Sequence, residues 1–241
     1  MRLFAIGDLH MPGGDDKPMD VFGPQWDRHF LHISQSWRAA VREEDTVLIP
    51  GDISWAMQLE NALPDLQAIA ELPGRKIICK GNHEYWWSSI SRVRAALPGS
   101  ITALQFDAVD AGPCVVCGTR GWSYPTERSP LPAEDEKIFR REAQRLEMAV
   151  ERAEALAQGR PILVMTHFPP LMAEDAETPF TRILEAHPKV RTAVYGHLHG
   201  AAFAAGFSGE CRGIRYIPVS CDGIGFRPLE IPWPDGSEGK F

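Results

Sequence analysis

Five short apolar runs punctuate this chain, and each leads into a polar side chain able to bind a cation. Leu3-Phe4-Ala5-Ile6 runs into Asp8 and His10, Val47-Leu48-Ile49 into Asp52, and Ile77-Ile78-Cys79 into Asn82 and His83. Ile162-Leu163-Val164-Met165 runs into His167, and Val190 to Tyr195 into Gly196-His197-Leu198-His199. Such runs, bounded by turn residues, read as strands. Between them lie helical stripes. Trp26, Phe30, Ile33, Trp37 and Val41 recur at spacings of three and four, and Leu59, Leu63, Leu66 and Ile69 do so before Pro73-Gly74. From Asp52 to Asn82, and again from His167 to His197, the chain covers one strand-helix-strand crossover, about 30 residues. Crossovers of this kind bring their ligand-bearing ends to one edge of a parallel sheet.

The remaining segments fill in an α/β pattern. Met11 to Pro24, rich in Pro, Gly and Asp, reads as a loop beside Asp8 and His10, either a connector or a rim for substrate. Tyr85-Trp86-Trp87 begins a helix that ends at Leu97-Pro98-Gly99, its aromatics read as core rather than as a base-stacking platform. Ile101 to Gly118 reads as antiparallel strands or a hairpin, and Gly121 to Asp135 as irregular. A long amphipathic helix carries Phe139, Ala143, Leu146, Val150, Ala153 and Ala157 on one face, with Glu and Arg alternating on the other. A short helix is expected near Thr181 to Ala186. Phe203 to Ile231 is β-like, with Ile214 to Ile217 and Phe226 as strand markers, and completes a second sheet; Pro232 to Phe241 reads as a loose tail. Residues 1–241 are expected to form one domain.

Composition narrows the partners. Lys and Arg number 25 against 32 Asp and Glu, a formal charge of −7. That disfavours nucleic acid as a generic partner, since sequence-independent affinity needs a surplus of basic side chains. It leaves room for a local positive site, because two cations held by two carboxylates and neutral ligands leave a positive pocket. Five cysteines and an amino end that leads straight into a strand point to a reducing cytoplasm. Cys114-Val115-Val116-Cys117 has redox or zinc spacing, but positions i and i+3 of a strand face opposite ways, so it reads as packing. No apolar run approaches membrane-spanning length.

Two imidazoles at i and i+2 after a strand, as in His197-Leu198-His199, aim two nitrogen ligands into one pocket. Mixed imidazole, carboxylate and amide donors suit manganese foremost, or iron or zinc, better than calcium. The ordered set Asp8-x-His10, Gly51-Asp52, Gly81-Asn82-His83-Glu84, His167 and Gly196-His197-x-His199 resembles the calcineurin-like metallophosphoesterase superfamily. The resemblance implies two mixed β-sheets packed as a sandwich flanked by helices, and two divalent metal ions. It places one ion on Asp8, His10, Asp52 and His199 and the other on Asp52, Asn82, His167 and His197, with Asp52 bridging and His83 as the catalytic imidazole. It further implies that water held between the ions attacks phosphorus in line, while His83 protonates the departing alkoxide.

Ile53-Ser54-Trp55 follows Gly51-Asp52, without the Arg that phosphoprotein phosphatases of the superfamily carry there, so a Ser/Thr protein phosphatase is disfavoured. The Asp-x-His and Gly-Asn-His-Glu forms are similar to bacterial phosphodiesterases and to the nuclease branch. A small phosphoester is the expected substrate; a nuclease and a non-catalytic metal-binding interaction module are the alternatives. Outside this set, His29 and His32 read as packing or surface residues, and Arg120 as a phosphate clamp or a surface ion pair.

Overall fold

The computed structural model describes residues 1–14, 19–126, 130–175 and 177–234. In the first sheet, β1 (Leu3–Ala5), β2 (Thr46–Ile49), β3 (Arg75–Cys79) and β4 (Ile101–Leu104) run parallel, and β11 (Leu229–Ile231) lies antiparallel beside β1. The second sheet has the order β5 (Asp107–Asp110), β6 (Val115–Thr119), β7 (Ile162–Thr166), β8 (Val190–Tyr195), β10 (Ile214–Pro218) and β9 (Gly209–Cys211). Its four central strands are parallel and its two outer pairings antiparallel. Strands β1, β2, β3, β6, β7 and β8 are buried on both faces, so each lies between two packed layers.

Alternate residues sort cleanly between layers. Phe4, Val47, Ile49 and Ile78 pack with Ile33 and Trp37 of α1 (His29–Ala40) and Leu66 and Ile69 of α2 (Leu59–Ala70). Val115, Cys117, Val164 and Tyr195 pack with Leu146 and Val150 of α4 (Ala133–Ala157) and Phe180 and Leu184 of α5 (Pro179–Glu185). Between the sheets lie Leu48, Ile77, Val116, Leu163, Met165 and Val194. The order is thus helices, sheet, sheet, helices, the expected sandwich. Each fully buried side chain of this size contributes about 1.5–3 kcal/mol, so the three cores hold the strand ends in register. Cys114 faces the inter-sheet core and Cys117 the outer one, and all five cysteines are thiols. Among the described residues no helix is long and apolar enough to cross a membrane.

Several local expectations are corrected. Trp26 lies in a 3-10 turn, Pro24–Trp26, and α1 begins only at His29, because Arg28 adopts a left-handed backbone with φ 45°. Tyr85-Trp86-Trp87 forms turns rather than a helix start. Tyr85 N–H donates to the His83 carbonyl, and α3 (Ile90–Ala96) starts after Ser89, whose hydroxyl accepts from Arg92 N–H. Trp86 and Trp87 are buried, as expected of core, while Tyr85 is exposed. β4 is parallel to β3 rather than part of a hairpin, and the chain then crosses to the second sheet through Phe106, φ 47°. Phe226 is a buried turn residue, φ 57°, edge-on to Trp26 with ring centroids 5.2 Å apart. The last strand, β11, returns to the first sheet and not the second. Trp233 packs on the inter-sheet core and donates to the Met1 carbonyl; the tail beyond residue 234 lies outside the described residues, as do 15–18 and 127–129 of the two long loops.

Candidate metal centre

Every residue singled out as a cation ligand stands just past the carboxyl end of a parallel strand. The first sheet delivers Asp8 and His10 after β1, Asp52 after β2, and Asn82 and His83 after β3. The second delivers His167 after β7, and His197 and His199 after β8. Their backbone is strained. Asp8 (φ 58°), His10 (φ 44°), Asp52 (φ 50°) and His197 (φ 74°) are left-handed, a conformation that costs about 1–2 kcal/mol for a residue with a Cβ. Loop-to-loop bonds hold them there: Asp8 N–H to Gly51 O and His10 N–H to Asp52 O, both 3.0 Å. Two of the neighbouring glycines serve close approach rather than sharp turning. A Cβ on Gly81 would overlap the Asp52 carboxylate, and one on Gly196 that of Asp8.

The side chains converge in two groups. His10 Nε2 lies 3.2 Å from His199 Nε2, and His199 Nε2 lies 3.6 Å from Asp8 Oδ1. His167 Nε2 lies 2.6 Å from Asn82 Oδ1 and 3.2 Å from His197 Nδ1. Asp52 Oδ2 stands between the groups, 3.4 Å from His167 Nε2 and 3.9 Å from His10 Nε2. Asp8, His10 and His199 form one set with ligand atoms mutually within 4.8 Å, and Asp8, Asp52 and His167 another. Two nitrogens each about 2.1 Å from one ion stand about 3.0–3.4 Å apart, so these separations fit divalent cations of the zinc or manganese type.

Outer partners fix which ring nitrogen faces the pocket. His167 Nδ1–H donates to Pro50 O at 3.0 Å, which leaves Nε2 with its lone pair inward. His199 Nδ1 lies 2.9 Å from Asp222 Oδ1, a carboxylate that orients the ring and raises its basicity. Burial, reinforced by neighbouring imidazoles, pushes His10 down to about 3 and His197 down to about 4, keeping both neutral as ligands must be. Burial acts the same way on His199, but Asp222 and Asp8 outweigh it and push this ring up to about 10. Of the two buried carboxylates, burial and the charge of Asp8 push Asp52 up, whereas the surrounding imidazoles overcome burial and hold Asp8 down. Two carboxylates this buried and this close to imidazoles suit a cation between them.

The centre opens into a cleft of about 400 Å³, bounded by Met19, Phe22, Trp26 and Trp55. The long loop after His10 is therefore its rim. Trp55 stacks on His10 with centroids 4.9 Å apart and planes 20° apart, and it lies 4.3 Å from the ring of His83. His83 is part-exposed at the cleft, its Nε2 3.9 Å from Asp52 Oδ2.

A family model described as calcineurin-like phosphoesterase matches residues 1–201. The chain belongs to that family. A phosphopantetheinyl hydrolase from Mycobacterium tuberculosis is 15% identical, with a TM-score of 0.56 over 98% of each chain. A protein of unknown function from Aquifex aeolicus is likewise 15% identical, with a TM-score of 0.51 over 95% of each chain. At this identity the likeness is one of fold. No curated protein matches the chain.

Two residues of this family member's centre escape a reading of its sequence. Asp222 lies in a turn-rich stretch with no periodic signal, yet it holds both His199 and the Gly200 N–H, each at 2.9 Å. Glu84 sits in the Gly81-Asn82-His83-Glu84 run, but its role is invisible there. Fully buried, its carboxylate accepts N–H bonds from Asp52, Ile53 and Gly81, clipping the loop after β2 to the loop after β3. Arg120 does not face the cleft; its guanidinium lies over Trp122 and 3.6 Å from Glu142. His29 is buried and bound to the Leu9 and Trp26 carbonyls, and His32 is exposed, so neither is a ligand candidate.

Proposed function

We propose that this protein is a dinuclear metal-dependent phosphoesterase that hydrolyses a small phosphodiester or phosphomonoester. The observation that carries the reading is the convergence, from two separate sheets, of seven donors, with Asp52 Oδ2 standing between His10 of one group and His167 of the other. Asp8, His10 and His199 hold one cation and Asn82, His167 and His197 the other. Asp52 is the shared carboxylate. Asp8 is the rival for that role, being common to both sets of nearby donors, but the atom bringing it near His167 is Nδ1, already bonded to Pro50. Divalent cations, manganese foremost, supply Lewis acidity toward phosphoryl oxygen and bring the pKa of water down toward about 7.

The chain's own side chains do the rest. His83 faces the cleft and delivers a proton to the departing alkoxide, a role worth about 10²–10⁴ in rate. Trp55 stacks on the buried His10 ring and packs against that of His83, which holds both rings in place at the cleft. The apolar rim of Met19, Phe22 and Trp26 favours a small ester over a polynucleotide, as does the charge of −7. The phosphopantetheinyl hydrolase is compatible with a small phosphoester, though its fold likeness does not name the substrate.

The test is elemental analysis of the purified protein joined to turnover of bis-p-nitrophenyl phosphate, p-nitrophenyl phosphate and labelled DNA with manganese. Two ions per chain and cleavage of an aryl ester, with DNA intact, are expected; metal-loaded protein inert to both esters refutes the proposal. His83→Ala should lose turnover about 10²-fold or more while retaining its metal, which separates an enzyme from a metal-binding interaction module.

A further inference from the structure

A second concavity, of about 260 Å³, opens at the same edge of the sheets. Lys80 borders it just after β3, Leu104 and Gln105 at the end of β4, and Thr119 and Arg120 at the end of β6. Arg141, Glu142 and Arg145 of α4 face it from above the second sheet. None of the seven cation donors lines it.

Its charge is unbalanced. Lys80, Arg120, Arg141 and Arg145 surround one carboxylate, Glu142, which leaves three positive charges in a chain whose formal charge is −7. Glu142 already has a partner on each oxygen. Fully buried, it accepts from Thr119 Oγ1 and from Arg145 Nη1, both at 2.7 Å. Arg120 Nη2 at 3.6 Å and Arg141 Nε at 3.9 Å are close enough to Glu142 for attraction but too far to hydrogen-bond. Among the described residues neither guanidinium donates a hydrogen bond, although Arg120 is largely enclosed and fixed over Trp122 with its carbon 4.4 Å from the ring centroid. Lys80 Nζ, also half-buried, reaches the Trp87 carbonyl at 3.2 Å and has further donors to offer. Burial lowers the pKa of Arg120, the penalty that a bound anion relieves.

Four cations around one concavity, two of them planar guanidinium forks without a hydrogen-bond acceptor among the described residues, form a receptor for an anion with several oxygens. We propose that Lys80, Arg120, Arg141 and Arg145 form a binding site for a phosphate group, separate from the metal centre. A phosphate offers three strong acceptor oxygens and close to two charges, which matches donors arriving from three directions better than a single carboxylate does. The phosphate is either a second phosphate on the substrate or a free phosphate acting as an effector.

Calorimetric titration of inorganic phosphate and of pyrophosphate into chelator-treated full-length protein reads this site without metal-bound phosphate, and so independently of whether the phosphoesterase reading holds. One site per chain is expected, weakened at least tenfold in the double variant Arg120→Gln/Arg141→Gln. Arg141→Gln alone, at a half-exposed position, should bind several-fold more weakly with an unchanged melting temperature, which guards against misfolding of the double variant. No binding by the unaltered protein, or equal affinity in the variants, overturns the proposal. Turnover by manganese-loaded protein then identifies the source. If the phosphate belongs to the substrate, the double variant raises KM at least tenfold for an aryl ester of a nucleoside bisphosphate and leaves bis-p-nitrophenyl phosphate unaffected. If it is free phosphate, calorimetric binding is lost while KM for both esters stays the same.

Discussion

Replacing Asp222 tests whether the pocket of imidazoles is tuned for a cation. Its carboxylate takes the Nδ1–H of His199 at 2.9 Å and the N–H of Gly200 at 2.9 Å, and so fixes the ring with Nε2 toward Asp8 and His10. In Asp222→Asn the amide oxygen still accepts from Nδ1, but a charge-assisted bond becomes a neutral one of roughly half the strength. The expected cost is about 1–1.5 kcal/mol, near tenfold in affinity for the ion held by His199. Asp222→Ala removes the acceptor altogether and should cost about 100-fold, the upper end for outer partners of metal-bound histidine. Competition against a fluorescent chelator should therefore show two binding steps, of which only one weakens, since His167, His197 and Asn82 do not touch Asp222. The pH dependence has a definite sign. Asp222 and Asp8 hold a proton on His199 up to about 10, and a cation must displace that proton, so affinity in the unaltered protein rises with pH through neutrality. With Asp222 neutral the ring loses its proton at lower pH, and the rise should level off sooner. Wild-type affinity for both ions in Asp222→Ala, or equal weakening of both steps, would refute the reasoning.

Two further changes probe the scaffold of the site. Glu84→Ala strands the buried N–H groups of Asp52, Ile53 and Gly81, at about 1–3 kcal/mol each. A loss of at least 3 kcal/mol should lower the melting temperature by about 6–12 °C, and calorimetry showing a shift under 2 °C would contradict it. Gly81→Ala puts a methyl group where the Asp52 carboxylate stands, so metal content by elemental analysis should fall for both ions; full occupancy would mean that Asp52 is not the shared ligand.

The strands and the ligand-bearing ends were legible in the sequence because both follow from local pattern. An apolar run that stops at a polar residue after two or three positions describes β1 with Asp8, β2 with Asp52 and β8 with His197 whatever else the chain does. What failed to read was set by tertiary contact. Phe226 looks like a strand residue by composition, yet its apolar ring is buried by Trp26 and His29 in a turn, with no neighbouring strand to pair. Tyr85-Trp86-Trp87 looks like the start of a helix, but Glu84 is tied to the loop after β2, and the helix waits for the Ser89 cap. Asp222 is near His199 only because β10 lies beside β8, a pairing that no periodicity announces. Arg120 has the right chemistry for phosphate, but the close of β6 carries it toward Glu142 and α4 and away from the metal cleft.

Sheets packed face to face lie about 10 Å apart, a gap filled in the middle of this molecule by apolar side chains. Here the distance closes at the rim. Gly7, just past β1 of the first sheet, bridges Ser220, just past β10 of the second; its N–H donates to Val219 O at 2.7 Å and its carbonyl accepts from Cys221 N–H at 3.0 Å. Cys221 Sγ and the Asp8 carbonyl lie 3.0 Å apart, His197 N–H donates to the Asp8 carboxylate at 3.0 Å, and His167 Nδ1 binds Pro50 O at the same distance. The donors thus stand on the seam where the two sheets are stitched together, and four of them take left-handed backbone to reach it. A cation there would neutralise Asp8 and Asp52 and draw His10 of one sheet toward His199 of the other. Its binding energy would act across the seam, which would link folding to metal uptake and offset the strain at Asp8, His10, Asp52 and His197 where the charge is placed.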